Sequence, residues 1–292
     1  MKRAVVVLVA TIALLGQDLA GVVDIHAHAD PDSLPRAIDA LELARLARQR
    51  GLRGLVVKNH YEPTASLAWL ARKEAPGLEV FGGIALNLSV GGVNPAAVER
   101  MTRVRGGLGR VVWMPTFDAE HHVRAAGEPR PFVSVARDGK LLPEVLEVLA
   151  LVARHGLVLA TGHSSPTEAL LLVAEARRRG VERIVVTHAM LAPVTMSIPQ
   201  MQRAAAAGAY IEFVGNALLG PHRSLTPRQY AEAIRAVGPE HCILSSDLGQ
   251  AGNPLHPDGL ETLFGLLRHE GLSVEEIEQM AKRNPARLLG LP

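Results

Sequence analysis

The chain has 292 residues, 48% of them hydrophobic, enough to bury the core of one large domain or two small ones, which excludes a disordered tail. Its 31 basic and 29 acidic side chains leave a net charge of +2, too weak a field to hold a phosphate backbone, so nucleic acid is not expected as a partner. A single cysteine, Cys242, excludes an internal disulfide and a thiolate zinc cluster, and 3% aromatic residues leave neither a stacking platform for bases nor aromatic walls for a sugar cleft. Twelve histidines are the informative excess.

Lys2 and Arg3 precede an uncharged run from Ala4 to Leu15, which has the order and length of a signal-peptide hydrophobic region and is too short to span a bilayer. Residues 1–16 are therefore expected to be an export signal, with the mature chain periplasmic and no stable membrane span. The alternative is a buried element packed under the fold of a cytoplasmic protein.

From residue 21 onward one pattern repeats: a short β-branched run, a polar or histidine-bearing loop, then a segment rich in Ala, Leu, Arg and Glu. Strands are expected near 21–26, 54–58, 79–85, 109–114, 157–162, 183–187, 209–213 and 242–246. Capping boxes at Ser165–Glu168, Thr226–Gln229 and Ser273–Glu276 start three of the intervening helices, and Gly51, Gly156, Gly180 and Gly208 stand where helices end. Apolar residues recur at three- and four-residue spacing over 41–46 and 145–152, giving each helix one face for a sheet. Eight strands alternating with helices over 21–292 predict a single-domain (β/α)8 barrel rather than an open doubly wound sheet. No glycine-rich phosphate loop follows the first strand, where Asp24-Ile25-His26-Ala27-His28 stands instead. The irregular stretch from Phe117 to Leu142, with a hairpin turn at Arg137-Asp138-Gly139-Lys140, is expected to be a lid-like insertion after strand four.

In such a barrel the carboxyl ends of all strands face one mouth. Strand one ends in His26 and His28, which share a face through their i, i+2 spacing; strand five ends in Thr161-Gly162-His163, strand six in Thr187-His188 and strand eight in Ser245-Ser246-Asp247. Four imidazoles and a carboxylate are thus predicted to converge. This donor set suits a divalent metal, zinc first, with Mn, Fe or Ni as alternatives. Without an ion, several buried imidazoles would have to satisfy one another.

These residues resemble the amidohydrolase superfamily of metal-dependent (β/α)8 hydrolases, which carries His-x-His on strand one, histidines on strands five and six, and aspartate on strand eight. His26, His28, His163, His188 and Asp247 fill every one of those positions, and 283–291 is similar to the superfamily's terminal helix. The stretches 57–64 and 112–116 resemble a group of such proteins of undefined substrate. One departure stands out. Two-metal members carry a bridging lysine carbamate or glutamate at the end of strand four, whereas here that strand ends Trp113-Met114-Pro115-Thr116. Lys58, at the end of strand two, is a candidate carbamate and metal ligand from another wall, and Asp118 or Glu120 a candidate carboxylate, so one and two ions both remain open. Lys58 read simply as a cation would bind an anionic substrate group or pair with a barrel carboxylate.

His60, two residues beyond Lys58, is a candidate ligand or substrate contact, and Asp118 a further substrate contact. Glu212, the only charge in its apolar strand, either orients a ligand or touches substrate, or else pairs with a rim arginine. Asp24 is placed to accept from an imidazole. His121 and His122 lie on the insertion, and His155, His222, His241, His256 and His269 are read as solvated residues of helix ends and loops.

The resemblance implies hydrolysis of an amide, lactone, ester or phosphoester bond in a small molecule by a metal-activated water. Asp247 would shuttle the proton, and Lys58 or His188 would share developing charge. Two rivals stand beside it: metal-dependent decarboxylation or isomerisation of a small carboxylic acid, and a barrel that binds metal or ligand without turnover. Nothing in the sequence separates a monomer from a homo-oligomer.

Overall fold

A computed structural model describes residues 19–221 and 223–292, so the expected export signal at 1–16, and His222, lie outside the described residues. Eight parallel strands form one sheet in sequence order: β1 (Val23–Ala27), β2 (Gly54–Val57), β3 (Glu79–Ala85), β4 (Gly109–Trp113), β5 (Val158–Ala160), β6 (Arg183–Val186), β7 (Tyr210–Val214) and β8 (Cys242–Ser245). Almost every residue in them is buried, as a sheet enclosed by helices requires. The ring closes between β8 and β1 at the strand ends, through the bridge of Ala27 to Leu248 and the bonds from Asp247 N–H to His26 C=O (2.8 Å) and from His28 N–H to Leu248 C=O (2.9 Å). This is the (β/α)8 barrel expected from the alternation.

Helices α1 (Ala40–Gln49), α2 (Ala65–Glu74) and α3 (Pro95–Thr102) follow the first three strands. After β4 come α4 (Glu120–Ala125), a hairpin of Ala136–Arg137 with Lys140–Leu141, and α5 (Pro143–His155). The remaining helices are α6 (Pro166–Arg178), α7 (Ile198–Ala206), α8 (Pro227–Val237), α9 (His256–His269), α10 (Val274–Glu278) and α11 (Asn284–Leu289). Ser165–Glu168, Thr226–Gln229 and Ser273–Glu276 close reciprocal capping boxes at the starts of α6, α8 and α10, satisfying backbone donors that a helix start leaves free. Gly156 caps α5 in the left-handed region. In the hairpin, Asp138 (φ 50°) and Gly139 (φ 71°) both take the positive φ of a two-residue turn whose twist matches its strands.

The stretch between β4 and α5 is anchored rather than draped. Val123 and Val135 are buried, Ala119 bridges Val133, and Asp118 accepts from Arg130 Nη1 (2.6 Å) and from Leu88 N–H (2.9 Å).

Gly162 lets the chain turn from β5 into His163. Its φ is +62°, and a methyl group built there would lie 2.2 Å from the carbonyl oxygen of Met114. Gly162→Ala is therefore expected to cost more than about 2 kcal/mol in urea or thermal unfolding.

Candidate active site

Alternation along β1 turns Asp24 and His26, with His28 beyond, toward the barrel interior, and all three are buried. Asp24 lies deepest. It accepts from Ser246 N–H (2.9 Å) and His26 N–H (3.2 Å), so it pins the seam between the last and first strands instead of receiving an imidazole. Burial raises its carboxyl to about 6 against the lowering effect of those bonds.

Glu212, in the middle of β7 and 2% exposed, holds the cluster from behind. Its oxygens accept from Ser245 Oγ (2.7 Å) and His188 N–H (2.8 Å) and lie 3.2 and 3.4 Å from His26 Nδ1. Burial is the largest single influence and works to raise this carboxyl, but the His26 ring, His188 and the Ser245 hydroxyl together hold it below the ordinary carboxylate range. Glu212 thus lies behind His26, paired with no rim arginine among the described residues, and is not among the residues that line the cavity, so the structure does not place it as a substrate contact.

With Nδ1–H donated to Glu212, His26 presents a lone pair at Nε2. That atom lies 3.1 Å from Asp247 Oδ1 and 3.0 Å from Lys58 Nζ. The same Asp247 oxygen is 3.1 Å from His28 Nε2. Two acceptors, His26 Nε2 and Asp247 Oδ1, thus face each other in a buried site, reached by the Lys58 ammonium and by His28, and a shared divalent cation would suit the same pair. One ligand atom from each of His26, His28 and Asp247 lies within 4.8 Å of the others, so the residues fit a divalent ion. His28 Nδ1 and His188 Nδ1 are buried with no hydrogen-bond partner.

Burial keeps the imidazoles neutral, the form that binds metal: His28, His60 and His163 lie well below the usual histidine range and His188 near 4. Burial lowers Lys58 to about 8 against the pull of Asp247 and Glu212. Burial opposes ionisation of Asp247, yet His26 and His28 hold its carboxyl far below the ordinary range. His188 (φ 25°) and Asp247 (φ 49°) both sit in the left-handed region, where non-glycine residues are uncommon.

His28, Lys58, His60, His163, His188 and Asp247 line one cavity of about 290 Å³. His163 and His188 meet with ring centroids 5.0 Å apart, and His60 stacks between His28 (4.9 Å) and Phe117 (4.0 Å) while its Nδ1 lies 2.9 Å from Thr116 Oγ1. Asp118 stays outside, spent on Arg130 and Leu88, and Glu120 is bound to Arg124 and Ser134. Neither carboxylate replaces the one absent from the end of β4, because both hold the insertion together.

Two residues gain a place that sequence reading did not assign. His122, on α4, sets its Nδ1 2.9 Å from Nδ1 of His163 and stacks on that ring at 5.0 Å, so the insertion reaches the cavity. Arg36, from the loop between β1 and α1, also lines it. A third is a correction: His256, read as solvated, is fully buried at the start of α9, packed beneath the turn that carries Asp247, and burial lowers it to about 4.

The sequence matches the family of unknown function DUF6282 over residues 21–212. No curated protein matches it. Among solved structures, an amidohydrolase from Pseudomonas aeruginosa is similar at a TM-score of 0.64 and 15% identity, covering 92% of this chain and 95% of that one. A mutant organophosphorus hydrolase from Deinococcus radiodurans gives 0.62 and 16%, covering 94% and 95%. N-acetyl-D-glucosamine-6-phosphate deacetylase from Mycobacterium smegmatis gives 0.59 and 20%, covering 94% and 77%. At these identities the likeness is one of fold, and it agrees with the barrel expected from the amidohydrolase resemblance.

Glu212→Ala strips acceptors from Ser245, His26 and His188 N–H at once in a dry site. It is expected to destabilise the protein by about 3 kcal/mol or more in thermal unfolding, with Glu212→Gln costing less because one oxygen remains.

Proposed function

The chain belongs to DUF6282, a family of unknown function, and from its site we propose a metal-dependent hydrolase that cleaves an amide, lactone, ester or phosphoester bond in a small molecule. The observation that carries this reading is the approach of His26 Nε2 and Asp247 Oδ1 to 3.1 Å with His28 Nε2 beside them. His26, His28 and Asp247 would hold the ion, for which zinc suits the nitrogen and oxygen donors and the neutral imidazoles best. A divalent ion there supplies Lewis acidity, which brings the pKa of water toward 7 and polarises a carbonyl or phosphoryl oxygen.

The chain's own residues account for the rest. Asp247, ionised and at the cavity wall, takes the proton from the attacking water and returns it to the leaving group. Glu212 keeps the His26 ring in the tautomer that offers Nε2, the part a carboxylate plays behind many metal-bound histidines. Lys58 and His188 face the same space and share the negative charge that grows on the substrate oxygen. His60, held by Thr116 and Phe117, contacts the substrate. The deacetylase and organophosphorus hydrolase of the same fold support hydrolysis over the other chemistries, and the convergent base Asp247 supports an enzyme over a passive binder.

A second reading concerns the number of ions. Lys58 is 1% exposed, its amine is shifted toward neutrality, and His163 and His188 stand across the cavity with His188 Nδ1 unpartnered. An uncharged lysine can take up carbon dioxide with release of a proton, and the resulting carbamate would supply, with those two histidines, donors suited to a second ion.

Purified protein is expected to carry a divalent metal by elemental analysis and to lose turnover of an amide, lactone or phosphoester panel on chelation. His26→Ala should lower metal content and activity together, whereas Asp247→Asn should lower kcat by several orders of magnitude. Chelation-insensitive turnover would refute the reading. Uptake of a second ion that depends on bicarbonate and disappears in Lys58→Ala would identify the carbamate.

A further inference from the structure

We infer that the substrate carries a carboxylate and that Arg36 receives it; this deepens the hydrolase reading by naming the substrate class of that site. The ionised side chains lining the cavity are two cations, Arg36 and Lys58, against one anion, Asp247. Lys58 is engaged with His26, at the centre. Arg36 comes from a different wall, on a loop clamped to the segment after β8 by its bridge to Gln250 and by the bond from Ala37 N–H to Gly249 C=O (2.8 Å).

The side chain of Arg36 is only 3% exposed. Asp32, whose side chain is wholly buried, accepts from Nε through Oδ2 (2.6 Å), and Nη2 lies 2.5 Å from the same oxygen without a hydrogen bond to it. Nη2 is buried with no hydrogen-bond partner despite that approach, and no bond from Nη1 to protein is found among the described residues, so a nearly buried guanidinium that lines the cavity keeps donors unspent. Leaving such donors dry is costly, and a planar oxyanion matches their fork.

The neighbouring wall agrees with this choice. Asn216 accepts through Oδ1 from Asn253 (3.0 Å), which leaves its amide nitrogen as a further donor on the lining. Gln250 is locked by bonds to Asp247 C=O and from Asn253. Apolar lining comes from Leu34 and Pro35 beside Arg36 and from Leu191 and Ala192. At about 290 Å³ the space is at the small end of ligand cavities, and Asp32 and Asp247 repel a dianion more than a monoanion. A short aliphatic or cyclic body ending in a carboxylate is the chemistry that fits, in preference to a phosphate.

The test is calorimetric titration of the metal-free full chain with glutarate, glutaramide and inorganic phosphate. Glutarate should bind, and its neutral diamide should not. Arg36→Lys, which keeps the charge but loses the fork, should weaken glutarate by about tenfold. The double variant Asp32→Asn with Arg36→Met removes both charges, so no buried carboxylate is left alone, and it should abolish glutarate binding while thermal unfolding reports a folded protein. Equal binding of glutarate and glutaramide, unchanged affinity in the double variant, or tighter binding of phosphate than of glutarate would overturn the assignment. If the double variant fails to fold, Arg36→Lys decides. Because no turnover is read, glutarate can bind even where chelation leaves hydrolysis untouched, and the failure of one reading is distinguishable from failure of the other.

Discussion

A carboxylate buried in an apolar strand has to be surrounded by donors, and Glu212 draws those donors from three other strand ends. His26 comes from β1, the His188 amide from the end of β6 and the Ser245 hydroxyl from β8. The site is assembled around that requirement. The tautomer of His26 follows from it, and with the tautomer the direction of the one lone pair that meets Asp247. The positive φ of His188 and of Asp247 belongs to the same economy: strained backbone is kept where satisfied buried groups over-determine it.

Much of the barrel was legible because its signals are local. β-branched runs, capping boxes and terminal glycines each depend on a few neighbouring residues, and the eight expected strands coincide with the eight observed to within a residue or two. The site was legible for another reason: a barrel brings all strand ends to one rim, so reading what each strand ended with was enough to place His26, His28, His163, His188 and Asp247 near one another. Glu212 announced itself as the lone charge of its strand, though that alone does not choose between orienting a ligand, touching substrate and pairing with an arginine.

What escaped depended on loops and on depth. His122 lies next to His121 in a short helix of the insertion, and nothing local says that one ring turns to His163 and the other to the carbonyl of Pro193. Arg36 carries only the i, i+4 pairing with Asp32, a pattern that ordinarily marks a solvated loop or helix face. His256 sits beside a proline at the start of a helix, an ordinary exposed position, and is buried where the backbone of Leu248 and of His28 reaches it. Asp24 points to the correct side of β1 but stops short of the imidazoles, since backbone N–H groups of the seam reach it first.

That seam has a mechanical meaning. The first and last strands meet only at their ends, and the three residues that suit an ion straddle the join, His26 and His28 on one side and Asp247 on the other, 219 positions apart in the case of His28. Closing so long a loop is entropically the slowest part of shaping a cylinder. An ion seated across it would act as a clasp, fastening the amino-terminal strand to the carboxy-terminal one, so that occupancy of the site and integrity of the whole wall would become one equilibrium.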